Sequence, residues 1–331
     1  MSNLASPARH ALVAGLTVLA AGLVQAQPAA PYPSRPVTVI VPFAPGGSVD
    51  SAARPVLQAL SARLKQPFVV ENAAGASGTI GTLKVVRSTP DGHTLLFAVA
   101  SPINVAPVVN PSIVQYDSLK DLTPVATVAS SPFILIGSPK FPAQNTAAVL
   151  EAARKAPGRL NYGTDGVGTS MHLTAEMLKL SAGVDIVHVP YRNGPQVLTE
   201  LAGGTIELAV MPVSLAQPFI RDGRVRAFGV TSKSRWPSLA EVPALAETPG
   251  LESIDVDSWY GLLAPAGTPN AIVTQLIEGL RVVLQDPALI ERMNAAGLRP
   301  LKVEGQAFAD LLKRERDGLN AVLKAAGGKL K

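Results

Sequence analysis

An alternation of apolar, β-branched runs with helix-periodic segments most constrains how this chain can fold. Val37–Val41, Phe68–Asn72 and Thr94–Ala98 are short apolar runs typical of buried strands. Between the first two, Ser48–Leu64 repeats its apolar residues with the period of a helix, and segment 82–88 does so before the third. Strand, helix, strand, helix, strand predicts a doubly wound parallel sheet.

The same alternation returns after residue 123 and predicts a second α/β unit. It begins with two predicted strands, at 125–129 and 133–137, and continues as helices and strands to residue 231. The chain then ends in three helical segments, 271–285, 288–296 and 307–326. These helices need a sheet to cover, and we expect them to pack on the first unit.

The expected architecture is therefore a two-domain α/β clamshell. Each lobe is predicted to be a mainly parallel sheet flanked by helices. The first domain would comprise residues 27–124 and 254–331, and the second would comprise residues 125–253. Two connections, near 123–128 and 255–259, would form the hinge.

The N-terminus is predicted to be an export signal. Arg9 and His10 precede an apolar segment, 11–24, and Val24-Gln25-Ala26 places small or modest residues before a cleavage point after Ala26. The chain is apolar overall, with 47% hydrophobic and 16% charged residues. However, every later apolar run is broken short of the ~20 residues of a bilayer span, which excludes a polytopic membrane protein. The alternative is that segment 1–26 stays as an anchor helix.

Composition excludes several classes of site. There is no cysteine, so disulfides, thiol nucleophiles and iron–sulfur clusters are ruled out. The net charge is +5, but the basic residues are scattered and aromatic residues make up only 5%. Nucleic-acid binding needs a basic stripe with stacking rings, so we expect no nucleic-acid partner. A modest positive charge suits a small anionic ligand better.

Two glycine-rich turns each join a strand to a helix, and they are the main candidate binding loops. In such turns backbone N–H groups converge at the positive end of a helix dipole, which favours a carboxylate. The alternative is two ordinary tight turns that need glycine only for their backbone conformation. The candidate ligand-binding residues are Phe43, Pro45, Gly46, Gly47, Ser48 and Val49 in the first loop, and Gly166, Gly168, Thr169 and Ser170 in the second.

Other strand ends add candidates at the same sheet edge. Ser101 and Asn104 follow the third strand and offer polar groups to the cleft. Tyr191 and Arg192 follow a later strand, where the tyrosine would cover a ligand and the arginine would pair with an acid. A surface turn with an extended arginine explains that second pair equally well.

Two pairs of residues are spaced four apart on predicted helices. Asp50 and Arg54 would form a salt bridge that shapes the first loop. His172 would line the cleft near Ser170, and with Glu176 it has a spacing that could bind a metal. Two ligands do not make a site and no His or Cys cluster supports them, so we expect neither a metal nor a cofactor.

An enzymatic alternative finds little support among the motifs. The glycine turns match neither a dinucleotide fingerprint nor a phosphate-binding P-loop, and no G-x-S-x-G nucleophile elbow is present. Ser48 and Ser170 have no histidine at an evident partner spacing. We therefore expect a binding protein. An exported α/β enzyme or a ligand sensor acting on a small carboxylate remains the alternative.

Taken in order along the chain, these motifs resemble the substrate-binding proteins of tripartite tricarboxylate transporters, the Bug family of periplasmic receptors. The resemblance covers essentially the whole chain after residue 26. It rests on Ile40-Val41-Pro42-Phe43-Ala44-Pro45-Gly46-Gly47 with Asp50 and Arg54, Val70-Glu71-Asn72, Pro90-Asp91-Gly92, Tyr162-Gly163, Gly168-Thr169, His172-Leu173, Val189-Pro190-Tyr191 and Ala264-Pro265-Ala266-Gly267-Thr268-Pro269.

The resemblance implies a type II Venus-flytrap fold that captures small carboxylates in the periplasm for a membrane transporter. It implies that backbone and hydroxyl groups of the two loops hold the carboxylate. It also implies a monomer that contacts integral membrane transporter subunits transiently. The chain departs from the family pattern at Arg192-Asn193-Gly194, where Lys-Gly-Ser is usual, at Ala244 and at His93. The first departure lies near the predicted cleft, so it bears on which ligand is bound.

Overall fold

The computed structural model describes residues 31–325, so the predicted signal segment and its cleavage point lie outside the described residues. The strands are β1 (Val37–Val41), β2 (Phe68–Asn72), β3 (Thr94–Ala98), β4 (Leu122–Gly137), β5 (Asn161–Thr164), β6 (Val187–Pro190), β7 (Leu208–Pro212), β8 (Arg226–Val230), β9 (Asp257–Pro265) and β10 (Arg299–Pro300).

Helices alternate with these strands and then close the chain. They are α1 (Ser48–Leu64), α2 (Thr79–Val86), α3 (Ala106–Val109), α4 (Ser118–Asp121), α5 (Thr146–Lys155), α6 (Ser170–Ala182), α7 (Gly194–Gly203), α8 (Val213–Arg221), α9 (Asn270–Val283), α10 (Pro287–Ala295) and α11 (Gly305–Ala325). A π-helical turn, Ser101–Val105, runs directly into α3. The α/β alternation predicted from the sequence is confirmed, although neither this turn nor the two four-residue helices were expected.

Two sheets share one strand. The first has the order β2-β1-β3-β9-β4, with β10 on the far side of β4. Its strands β1, β2 and β3 are parallel, whereas β9, β4 and β10 pair antiparallel. In the second sheet β4 lies between β8 and β7, and β5 and β6 follow in parallel. We call each sheet with its covering helices a lobe.

Strand β4 passes from one sheet to the other between Pro132 and Phe133. Pro132 is still opposite Asp257 of β9, whereas Phe133 is opposite Pro212 of β7. The sequence predicts two strands here, at 125–129 and 133–137, because the polar Ser-Ser-Pro segment between them looks like a break. That prediction is wrong, and the crossing lies beyond the predicted hinge segment 123–128.

The reason is that the polar groups of the crossing find partners from distant parts of the chain. Ser131 is fully buried, and its hydroxyl donates to the Gly297 carbonyl at 3.1 Å. The same hydroxyl accepts from the Ser214 N–H at 3.2 Å. Because its hydrogen bonds are satisfied, this segment continues as a buried strand.

Each lobe has its own apolar core. In the second lobe the core is built from β4, β5 and β7 with helices α5 to α8. In the first lobe α1 and α9 cover one face of the sheet, while α2 and α11 cover the other. The long C-terminal helix thus belongs to the first lobe. No helix within residues 31–325 combines the length and the apolarity that a membrane crossing demands.

The packing of α11 centres on Phe308. This residue is fully buried, and its ring meets the Trp259 ring edge-on at a centroid distance of 5.1 Å. Opposite it, Gly261 of β9 leaves the space that the ring fills, since a Cβ there would lie 2.8 Å from Phe308 Cζ. Helix α11 therefore packs against the first sheet through one large aromatic side chain.

Phe308→Ala is expected to lower the free energy of unfolding by about 3–5 kcal/mol, because it removes a buried ring and leaves a cavity. Val282→Ala on α9 is the control, since that side chain is 48% exposed. The control should change the free energy by about 0.5 kcal/mol or less. Urea unfolding followed by circular dichroism measures both. Equal effects of the two variants would contradict this packing.

Candidate functional site

A cavity of about 550 Å³ opens between the lobes, at the carboxyl ends of the parallel strands. This edge is where open α/β sheets bind ligands. The first lobe contributes the β1–α1 loop, the β2–α2 loop and Ile113. The second lobe contributes the loops before α6 and α7, together with side chains from the first turns of α6 and α8. The lining residues are Phe43, Ala44, Gly47, Ser48, Val49, Ala74, Gly75, Ala76, Ser77, Gly78, Ile113, Asp165, Gly166, Val167, Met171, Tyr191, Arg192, Asn193, Gly194 and Leu215.

The N-terminus of α1 faces this cavity, and no side chain of residues 31–325 caps it. Gly47 is the N-cap residue, and Ser48 and Val49 open the helix. The first N–H groups of a helix have no partner within it, and the helix dipole adds partial positive charge there. Gly47 has an ordinary φ of −73°, so what matters is its missing side chain. This end of α1 can therefore receive an anion.

A buried carboxylate holds the β1–α1 loop in shape. Asp50 accepts hydrogen bonds from the Gly46 N–H at 3.0 Å, from Arg54 Nε at 2.9 Å and from Asn72 Nδ2 at 3.0 Å. Burial alone would raise the pKa of Asp50, but these hydrogen bonds outweigh it and the pKa is lowered. Asp50 therefore stays ionised behind the loop and does not line the cavity.

Backbone strain is concentrated in the loop before α2. Four successive residues have positive φ, namely Gly75 at 133°, Ala76 at 47°, Ser77 at 56° and Gly78 at 88°. For alanine and serine this left-handed conformation is unfavourable. The Ser77 hydroxyl donates to the Val167 carbonyl of the second lobe at 2.7 Å. The strained loop thus forms part of the cavity wall and touches the opposite lobe.

The second-lobe loop uses its backbone donors internally. The Gly166 N–H bonds the Thr164 hydroxyl at 3.2 Å, and the Gly168 N–H bonds His172 Nδ1 at 3.3 Å. The Thr169 hydroxyl caps α6, accepting from the His172 N–H at 3.3 Å. These groups are therefore less available to a ligand than those at the start of α1.

A further donor of that loop bonds across the lobes. The Ser170 N–H donates to the Ser101 hydroxyl at 2.9 Å, and the two hydroxyl oxygens are 3.0 Å apart. Ser101 is buried at the start of the π-helical turn. This serine pair holds the lobes together beside the cavity.

The structure brings seven of the predicted site residues into the cavity wall, and the others lie elsewhere. The lining members are Phe43, Gly47, Ser48, Val49, Gly166, Tyr191 and Arg192. The predicted residues outside the lining are Pro45, Gly46, Ser101, Asn104, Gly168, Thr169, Ser170 and His172. Most of this second group supports the loops from behind or joins the lobes.

Asn104 is the clearest departure from the expected placement. It is fully buried, and its side-chain nitrogen donates to the Leu312 carbonyl at 3.0 Å and to Glu315 Oε2 at 2.9 Å, both on α11. Trp259 Nε1 donates to the same carboxylate at 2.9 Å. The π-helical turn directs this side chain into the first lobe. Asn104 therefore anchors α11 and does not face the cleft.

His172 also lies behind the cavity wall. It is buried, and its ring stacks on His188 at a centroid distance of 4.2 Å. Glu176 accepts from the Tyr162 hydroxyl at 2.5 Å and from Lys179 Nζ at 2.7 Å. Burial lowers the pKa of His172, which favours a neutral ring. Across residues 31–325 no three potential metal ligands cluster.

Among the charged residues that line the cavity, Asp165 is the one that sequence reasoning missed. It directly follows β5 and lines the cavity, and its Oδ1 atom is buried without a hydrogen-bond partner in residues 31–325. Burial raises the pKa of Asp165 from its ordinary 3.8 to about 6, and the Thr169 hydroxyl only partly offsets this. The signal in the sequence was an acidic residue inside a glycine loop expected to bind anions.

Comparison with known proteins assigns the chain to a family. The sequence model described as the tripartite tricarboxylate transporter family receptor matches residues 52–327. The chain belongs to this family. BugT of Bordetella pertussis is 32% identical over 320 residues, which cover 96% of this chain and 98% of BugT.

Solved structures agree with this assignment. Rpa4515 of Rhodopseudomonas palustris, solved with adipate, has a TM-score of 0.86 and 31% identity, covering 89% of this chain and 98% of its own. MatC (Rpa3494) of the same species, solved with bound malate, has a TM-score of 0.82 and 29% identity, covering 88% and 100%. The predicted two-lobed fold of periplasmic binding proteins is thus confirmed, and the family consists of solute-binding proteins rather than enzymes.

Asp165 gives the site a testable pH dependence. A carboxyl whose pKa is higher in the folded state favours folding at low pH, and this contribution is lost as the pH rises from about 4 to about 6. Asp165→Asn removes the titration. The stability of the variant relative to the unmodified protein should therefore rise by roughly 1–3 kcal/mol between about pH 4 and about pH 7.

Chemical denaturation across this pH range measures the difference. Asp222→Asn is the matched control, because Asp222 is exposed and lies outside the cavity wall. The control should follow the pH curve of the unmodified protein. Parallel curves for Asp165→Asn and the unmodified protein would show that the Asp165 carboxyl is not buried as described.

Proposed function

We propose that this protein captures a small carboxylate in the cavity between its lobes and presents it to an integral membrane transporter. The open N-terminus of α1 is the observation that carries this proposal. It offers free N–H groups and the Ser48 side chain to a cavity of about 550 Å³, within the usual size of small-molecule sites. Two structural neighbours were solved with adipate and malate, and both ligands are carboxylates.

Export and transport complete the proposal. Segment 1–26 would direct the chain to the periplasm and be removed after Ala26. The mature protein would act as a monomer and meet its transporter subunits only transiently. The two lobes would move as two bodies about the crossing of β4 between Pro132 and Phe133 and about the connection before β9.

A thermal-shift screen tests the ligand class directly. Mono-, di- and tricarboxylates would be compared with neutral amides of the same carbon skeleton. A carboxylate at a hundred times its dissociation constant should stabilise the protein by about 2.7 kcal/mol. The amides should not, because they lack the charge that the start of α1 attracts. Stabilisation by amides and not by acids would contradict the proposal.

Ser48→Ala tests whether the Ser48 hydroxyl bonds the carboxylate of the ligand. If the Ser48 hydroxyl bonds a charged ligand, the variant should lose about 1–2 kcal/mol of binding free energy, which is roughly a five- to thirtyfold loss of affinity. Ser51→Ala is the control, since Ser51 lies on the same helix but is exposed and outside the cavity wall. Isothermal titration with the acid found in the screen measures both. Equal affinities for the two variants would show that the Ser48 hydroxyl does not bond the carboxylate.

A further inference from the structure

The two sides of the cavity differ in charge. On the first-lobe side lies the open N-terminus of α1, which attracts an anion. Among the described residues that line the cavity, two carry a charged side chain, Asp165 and Arg192, and both belong to the second lobe. Arg192 is exposed at its loop, whereas Asp165 has a buried oxygen. The wall that faces α1 therefore contains a fixed carboxylate.

One oxygen of this carboxylate lacks the hydrogen-bond partner that buried acids normally have. Asp50 in the opposite lobe is held by Arg54, by Asn72 and by a backbone N–H. Asp165 Oδ1 has no hydrogen-bond partner in the part of the chain that the structure describes. A buried acceptor without a donor costs free energy, so a ligand that supplies the donor gains affinity. A cationic donor adds the most binding free energy, because its hydrogen bond to the carboxylate is charge-assisted.

A second anionic group of a ligand fits poorly beside Asp165, away from Arg192 on the neighbouring loop. The backbone donors of Gly166, Gly168 and Ser170 are already bonded within the protein. A carboxylate placed against Asp165 would meet a like charge unless one of the two groups took up a proton. An ammonium group meets neither obstacle.

We infer that Asp165 is a specificity-determining residue that binds an ammonium group of the ligand. The cavity then prefers a zwitterionic amino acid to the corresponding plain carboxylic acid. The carboxylate lies at the start of α1 and the ammonium group at the end of β5. The inference rests on the proposed capture of a carboxylate and adds the second charge of the ligand.

Matched ligand pairs test the inference by isothermal titration near neutral pH. Each pair differs by one ammonium group: propionate and alanine, succinate and aspartate, glutarate and glutamate, adipate and α-aminoadipate. In the best-binding pair the amino member should bind about tenfold more tightly or better, the size expected of a hydrogen bond between charged groups.

Asp165→Asn keeps the size of the side chain and removes its charge. It should abolish the preference, so that the two members of a pair bind about equally. Asp222→Asn, the exposed control, should retain the preference. The melting temperature of the ligand-free variants shows that both are folded.

The outcomes are distinguishable. Tighter binding of the plain acid, or a preference that survives in Asp165→Asn, would overturn the inference and leave carboxylate capture intact. If Asp165 instead carried a proton and donated it to a second carboxylate of the ligand, the unmodified protein would not prefer the amino member of a pair. Asp165→Asn would then bind the plain acid about as well, because its amide N–H would replace the carboxylic O–H as donor. That result would overturn the inference. Binding of no member of any pair, and of no acid in the wider screen, would contradict the proposed function itself.

Discussion

The arrangement of the cavity depends on one strand that belongs to two sheets. Strand β4 pairs with β9 up to Pro132 and with β7 from Phe133 onward. Because the lobes share this strand, the carboxyl ends of their parallel strands face each other across the cavity. The polar crossing segment is buried, and Gly297 and Ser214 satisfy the hydrogen bonds of Ser131. The junction is therefore hydrogen-bonded and packed like the interior of a lobe.

Around this junction, each lobe has a similar loop, but the two loops differ in their hydrogen bonds. Both loops have a strand, a glycine turn and a helix start. The first leaves its helix end open and holds its own carboxylate, Asp50, behind the loop. The second caps its helix with Thr169 and places its carboxylate, Asp165, in the cavity wall. Similar backbone motifs thus produce one loop that attracts anions and one loop that does not.

Local sequence patterns predicted the strands and helices that are determined by residues close together in the chain. The bounds of β1 and α1 match the prediction, because a β-branched run and a helical period specify them within a few residues. The interpretation failed where partners are distant in the chain. The continuity of β4 depends on contacts with residues beyond 210, and the orientation of Asn104 depends on Glu315.

The same distinction holds for the site. The β1–α1 loop was predicted because glycine turns before helices have a recognisable sequence. The positive φ values of Ala76 and Ser77 could not be predicted, since neither residue type favours them. Thr169 caps α6 and does not line the cavity. This role depends on hydrogen-bond geometry, which cannot be predicted from the residue type.

The most direct measurement of the central claim is a crystal structure of the protein with a bound carboxylate. We expect an anion between the lobes, with a carboxylate oxygen about 3 Å from a backbone N–H of Ser48 or Val49. We also expect contact with residues of the second lobe in the same molecule. A carboxylate bound to one lobe alone, or at the surface away from the start of α1, would contradict this claim.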